Sequence, residues 1–441
     1  MTAQFVLPAL LVATLVAQAA LPAFRLLLVT GGAALCCLVA TLTGTAATST
    51  LFAEVPWDVI IMLVGLGLLS EVFVATRIFG VLAVASARRS QGRPRTLIAL
   101  FAVVMYATSG LVNNLTALLL VLPVLLILLK LMAVSQRYVA WTLGIVLVAC
   151  NLGGAATPIG DFPAILLLAR GSMSFPSYLA AAAPPTVLAL LLVLLALQLV
   201  RPERGVEQPA LGTRLSLAVV AALYRNTRLD RGLFVPAAAI MAAMLAAWML
   251  VPPTRMGPEL ICLLGVGVAL ALRPKAGERL LRSRVDIEAV LYLLSLFVMI
   301  AAVRRSGLFD TVAHGLERLP ISAGGQLLVF LVLAGVLTGL FSAGPSMASL
   351  LDVAESLAQR LPPHAVYVGL ALSVCAGSSL FLTAATSGPM AQILTERAEL
   401  RDPAGVQLRF GFLDFLPVGL LCFAIIQGVA LGYALFALVL A

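Results

Sequence analysis

A chain of 441 residues that is 62% hydrophobic and only 11% charged, with a mean hydropathy of +1.11, lies far from soluble proteins, in which about a quarter of residues are charged. It reads as a polytopic membrane protein with no appended soluble domain. The net charge of +9 does not argue for nucleic acid, because the basic residues fall in short loops between apolar segments, where the positive-inside rule accounts for them.

About 20 apolar residues cross a bilayer as a helix, which predicts the first spans at 5–22, 25–44 and 57–76. No basic stretch precedes the first, so it is read as a retained span and not a signal peptide. Residues 78–89 carry an apolar face and terminal arginines suited to a helix lying along the interface. The arms 97–108 and 115–129 are each short for a span, and the polar stretch 109–116 separates them. Arg88, Arg89, Arg93 and Arg95 precede the pair, and Lys130 and Arg137 follow it. Basic flanks on both sides predict a re-entrant hairpin with 109–116 at its tip; two short full spans are the alternative.

Residues 138–169 form one crossing interrupted at 151–161. A span near 178–200, the basic loop 201–231, spans near 232–252 and 258–272 and the basic loop 273–284 come next. Then 285–303 crosses, 306–319 looks interfacial, and 326–360 holds a second pair of arms around 342–346. Residues 365–394 are a crossing broken between Gly377 and Pro389, and 410–440 contains the last.

The second half repeats the first. Val55-Pro56-Trp57-Asp58 corresponds to Ser283-Arg284-Val285-Asp286, the tip at Ser109 to the one at Ser342, and Cys150-Asn151 to Cys375-Ala376. The expected fold is an all-α polytopic membrane protein, an inverted repeat of five transmembrane helices plus one re-entrant hairpin each, with interrupted helices. Its domains are a first repeat at 1–200, a cytoplasmic linker at 201–231 and a second repeat at 232–441. Of the lysines and arginines, 22 fall in loops on one side and 6 on the other, which puts both termini outside the cytoplasm.

A helix broken at mid-membrane frees N–H groups at one new end and carbonyls at the other, able to hold an anion and a cation respectively. The candidate substrate- or ion-binding residues are Ser109, Asn113, Asn114 and Thr116 at the first tip, and Asn151, Gly153, Gly154, Thr157 and Asp161 at the first break. Their counterparts are Ser342, Gly344 and Ser346, then Gly377, Ser378, Ser379 and Thr383, with Thr386 and Ser387 beyond. The bland alternative is that the small residues only let helices pack closely. Asp161, the carboxylate inside a break, is a proton or cation site by cost, or a helix N-cap in front of Pro163; the two roles are compatible. Glu71, in an apolar span, is a second proton-coupling candidate. Cys150 and Cys375 occupy matching positions and read as small buried residues before they read as ligands for a soft metalloid. None of the six cysteines has C-x-x-C spacing and the two histidines, His314 and His364, are isolated, so no metal site is expected.

Residues 109–123, 151–163, 296–300 and 306–310 resemble the ion transporter superfamily, specifically its ArsB/NhaD-type permeases, relatives of the citrate carriers and the divalent anion:sodium symporters. The Gly160-Asp161-Phe162-Pro163 run looks most like the magnetosome-associated, MamN-like branch. The resemblance implies a carrier with a scaffold part and a moving part that holds both hairpins and both broken helices. In the symporter relatives an Asn-and-Thr tip and the adjacent broken helix bind Na+, roles that would fall on Asn114, Thr116 and Gly154. Two departures stand out: cation-antiporting members have Asp-Asn where this chain has Asn113-Asn114, and the second tip has no Asn.

The expected function is secondary active transport of a small ion in the inner membrane, or a membrane derived from it, without cofactor, coupled to H+ or Na+. An anion (citrate-like carboxylate, arsenite or another oxyanion) is favoured, and Na+/H+ antiport is the alternative. The partners are this small inorganic ion or carboxylate and the lipid bilayer, with no nucleic acid and a homodimer left open. No enzyme is expected. An intramembrane aspartyl protease would need two carboxylates sharing a proton, and Asp161 has no evident partner segment. A non-transporting scaffold would not need the matched breaks, and a nucleotide-driven pump would need a Walker motif that the chain lacks.

Overall fold

The computed structural model describes all residues except 1, 22, 23, 92, 133, 171, 172, 203–227, 252–254, 386, 403 and 441. Most of the predicted linker 201–231, and Thr386, thus lie outside the described residues. Among those described the fold is all helical, and a single bridge pairs Arg401 with Gln407.

The first half runs α1 (Thr2–Ala20), α2 (Arg25–Leu42), α3 (Thr48–Ala53), α4 (Trp57–Ala75), α5 (Ile78–Ser90), α6 (Pro94–Ser109), α7 (Asn114–Met132), α8 (Gln136–Ala156), α9 (Phe162–Ala169) and α10 (Phe175–Val200). The second runs α11 (Arg231–Leu250), α12 (Pro258–Ala271), α13 (Pro274–Ser283), α14 (Ile287–Arg305), α15 (Leu308–Glu317), α16 (Ala323–Phe341), α17 (Ala343–Ala358), α18 (Pro363–Ser378), α19 (Ser387–Ala398) and α20 (Phe412–Leu440). Nine described helices are long and apolar enough to cross a membrane. Large apolar side chains such as Leu27, Leu199, Leu250 and Val439 stand exposed on their outer faces, as expected where lipid is the solvent.

Two of those nine revise the sequence reading of the hairpins. α7 and α16 each reach 19 residues, so arm length does not separate a re-entrant hairpin from two full spans. The arm beginning at Asn114 is longer than expected because Asn113 caps it: its Oδ1 accepts the Leu115 N–H at 2.8 Å, and the helix continues to Met132. The breaks are also shorter than the sequence suggests. α8 runs through Asn151, Gly153 and Gly154 to Ala156, leaving only 157–161 irregular. α18 runs through Gly377 to Ser378, and α19 starts at Ser387.

These glycines serve packing. A β-carbon at Gly153 would collide with the Tyr106 carbonyl, and one at Gly377 with the Gly335 carbonyl, so each broken helix crosses a neighbouring arm backbone to backbone at a glycine.

The apolar interior falls into two clusters. One gathers buried side chains of α1 to α4, α9, α11, α12 and α14 to α17 with most of α18; the other gathers α5 to α8, α19 and most of α20. The chain changes cluster across the first break, where Ala155 belongs to the second and Ile159 to the first; in the other half the change falls inside the last turn of α18, between Val374 of the first and Cys375 of the second.

The basic loops touch one another. Lys130 Nζ donates to the Ala398 carbonyl (2.9 Å), Gln136 Nε2 to that of Arg409 (2.7 Å) and Arg137 to that of Val200 (3.0 Å). The Asp230 N–H reaches the Thr76 carbonyl at 3.1 Å, and Arg273 pairs with Asp230.

Candidate substrate site

Both tips and both breaks meet. Thr157 Oγ1 donates to the Gly110 carbonyl at 2.6 Å, joining the first break to the first tip. The Ala343 N–H donates to the Ala384 carbonyl at 3.3 Å, joining the second tip to the second break. Across the halves, Asn151 Nδ2 donates to the Ser378 carbonyl (3.1 Å) and to Ser379 Oγ (3.2 Å), so the C-terminal ends of α8 and α18 abut. The Asn151 Oδ1 is buried with no hydrogen-bond partner.

A cavity of 420 Å³ opens between these elements. Its lining includes the N-terminal ends of four helices: Asn114 and Leu115 of α7, Phe162 and Pro163 of α9, Ala343 and Gly344 of α17, and Pro389 and Met390 of α19. Residues of α2, α4 and α14 line it too, with Arg25, Leu63, Asp286 and Tyr292 among them. Asp286 and Glu288 open α14 directly after the basic stretch 273–284, so the cavity reaches toward the basic-loop side.

Asn113, Asn114, Asp161, Ser342 and Gly344 line this cavity. Asp161 caps α9, its Oδ1 accepting the Phe162 N–H at 2.9 Å, so the N-cap role is present, and its carboxylate also meets the Asn114 side chain. A far smaller cavity of 10 Å³, room for about one water, lies behind it between Asp161, Tyr178, Cys375 and Ser378. Ser109 Oγ lies beside two acceptors, the Cys150 carbonyl at 2.7 Å and Asn114 Oδ1, and has one proton to offer. Gly154 packs on Asn114 and Asp161 with no room for a β-carbon.

The other candidates stand back. Ser346 is buried in the first turns of α17 with its hydroxyl unpartnered, Gly377 packs on α16, and Ser379 meets Asn151. Thr116 is half-buried and Thr383 exposed, and neither lines the cavity. Glu71 does not line it but stands one helical turn beyond Gly67, which does, and its carboxylate lies 3.8 Å from Arg284. Cys150 Sγ lies 3.3 Å from the Asn114 carbonyl. Sequence reasoning missed Arg25 and Tyr292, because one reads as a loop cation and the other as a core aromatic.

An uncharacterized transporter of Mycobacterium tuberculosis is 27% identical over 76% of this chain and 77% of its own length. The magnetosome protein MamN of Paramagnetospirillum magneticum is 26% identical over 89% of this chain and 90% of its own. Among solved structures, the YdaH transporter of Alcanivorax borkumensis, described as having an unusual topology, superposes with a TM-score of 0.58 at 16% identity, covering 91% of this chain and 87% of that one. The citrate transporter family model matches residues 6–282, more than half of the chain. This multi-pass membrane transporter therefore belongs to the citrate transporter (CitMHS) family.

Proposed function

We propose that the protein is a secondary active carrier of a small anion, a citrate-like carboxylate, arsenite or another oxyanion, coupled to H+ or Na+ and working by alternating access. The observation that carries this reading is the convergence of four helix N-termini on one cavity. Each end brings roughly half a positive charge from its helix dipole; the Leu115, Phe162 and Ala343 N–H groups are already partnered and Pro163 and Pro389 have none, so it is the dipoles more than free donors that favour an anion here. In this reading residues 1–200 and 232–441 are two repeats of opposite orientation, each supplying a tip and a break, joined by the linker 201–231.

The coupling ion belongs on the first-half side. Ser109 offers one proton to two acceptors, and the Asp161 carboxylate stands beside Asn114 at the same spot, so a proton or a Na+ there relieves an excess of acceptors. The second half has no carboxylate or amide at the matching positions.

Purified protein in liposomes, loaded with a pH-sensitive dye and given citrate, succinate, phosphate, arsenite or Na+ alone in turn, tests the reading. Anion-dependent flux that collapses with the proton or sodium gradient is expected. Flux with Na+ alone, proton-linked and indifferent to every anion, would favour Na+/H+ antiport instead, the reading supported by the three cavity carboxylates Asp161, Asp286 and Glu288.

A further inference from the structure

Arg25 is the one basic side chain that lines the large cavity among the described residues. It opens α2 and shares the cavity with the four helix N-termini. Its guanidinium carbon lies 4.0 Å above the centroid of the Tyr292 ring, and the Tyr292 hydroxyl donates to Gln18 Oε1 at 3.1 Å, which fixes the ring. Stacking engages the face of a guanidinium and leaves its edge, where all five N–H donors lie, open to other partners.

That edge has no ion pair among the described residues, although Asp286 and Glu288 line the same cavity. Asp286 is turned toward its own helix, its Oδ1 accepting the Ala289 N–H at 2.9 Å, and Glu288 is solvent-exposed. A cation kept in place by an aromatic ring and left without a counter-ion in a transport cavity is arranged for a ligand.

We infer that Arg25, held on Tyr292, determines substrate specificity by taking a carboxylate or oxyanion group through paired N–H bonds. The inference rests on the anion reading above and adds a division of labour. The helix N-termini supply fractional charge and hold an anionic group of any valence. Arg25 supplies a full charge from α2, so it selects anions with a second negative group. Both the helix ends and Arg25 then contribute to one substrate, and a monoanion held at the tips leaves Arg25 unanswered.

The test compares wild type, Arg25→Lys, Arg25→Gln and Tyr292→Leu in liposomes, with initial rates for citrate, succinate, phosphate and acetate. Arg25→Gln is expected to raise KM for di- and trianions at least about tenfold with maximal rate within about twofold, and to leave acetate uptake unchanged. Arg25→Lys should fall between, and Tyr292→Leu, which frees the guanidinium without removing its charge, should raise KM by a smaller factor. A merely structural role would lower maximal rate equally for all four anions, and that outcome overturns the inference, as does an unchanged KM. Should Arg25→Gln not fold, the order of KM values across Arg25→Lys and Tyr292→Leu decides the same question. Wild-type protein that moves none of these anions overturns the anion reading; wild-type anion flux with an indifferent Arg25 overturns this inference alone.

Discussion

Arg304 grips Asp352 with two nitrogens, Nε to Oδ2 at 3.0 Å and Nη2 to Oδ1, and Arg170 reaches the same carboxylate at 3.3 Å. This cluster joins α14 to α17 and to the end of α9, at the end of α14 opposite the one that lines the cavity. The cavity is thus open toward the basic loops and clamped at the far end, and Arg305 with Glu54 adds a second ion pair there. Asp352→Asn should lower the stability of the detergent-solubilised protein by about 1–3 kcal/mol, the usual worth of hydrogen bonds to a charged group. Thermal unfolding of Asp352→Asn, Arg304→Gln and the double variant provides the check. Additive losses would mean the two residues are not coupled.

Gly153→Ala and Gly377→Ala should each destabilise by about 1–3 kcal/mol, because a β-carbon there meets backbone that cannot rotate away. Gly267→Ala, on a helix face with open space around it, should be neutral or slightly stabilising. Equal midpoints for all three variants would remove the close crossings from the account.

Ser342 is the sole residue between α16 and α17 and has φ 80 and ψ 155, a region open mainly to glycine. Ser342→Gly should therefore gain about 1 kcal/mol in thermal stability, while Ser342→Val should lose more than that. A Gly variant less stable than wild type would show that the hydroxyl, and not the backbone, is what the position requires.

Arg273 Nη2 lies 2.7 Å from Asp230 Oδ2, at the start of α11, and holds the Asp230 carboxyl below the usual carboxylate range. The pair's contribution is present above the unfolded carboxylate pKa of about 4 and is lost as pH falls through the lower folded value. Wild type should therefore melt above Asp230→Asn at neutral pH, and the gap should close as the buffer is taken toward about pH 3. A gap that persists there would assign the difference to capping of α11 by Asp230 Oδ1, which accepts the Leu233 N–H at 3.2 Å.

The tips and breaks were legible because helix breakers and polar side chains stand out in an apolar sequence, and Asn113, Asn114, Asp161, Ser342 and Gly344 do line one cavity. The extent of the breaks was not legible. Gly153 and Gly154 look like interruptions, but in apolar surroundings an unpaired backbone is so costly that the helix continues through glycine and uses the missing side chain for contact. Arg25 was hidden for a different reason. Its position at a helix start in a basic-loop register explains it fully in one dimension, and only the fold brings Tyr292 beneath it. Likewise nothing near Asp352 in the sequence announces its partners, Arg304 and Arg170, which lie 48 and 182 residues away.

The switch of hydrophobic cluster across the first break has a mechanical consequence. Where a chain passes from one packed body to another through a few irregular residues, relative sliding of the bodies needs only those residues to change torsion, and the helices on either side keep their hydrogen bonds. Residues 157–161 occupy that position, and Ile159, Gly160 and Asp161 among them line the cavity. Cargo lodged in either body would simply ride with it. Cargo lodged at the seam is gripped by both, so any slip of one against the other alters its surroundings.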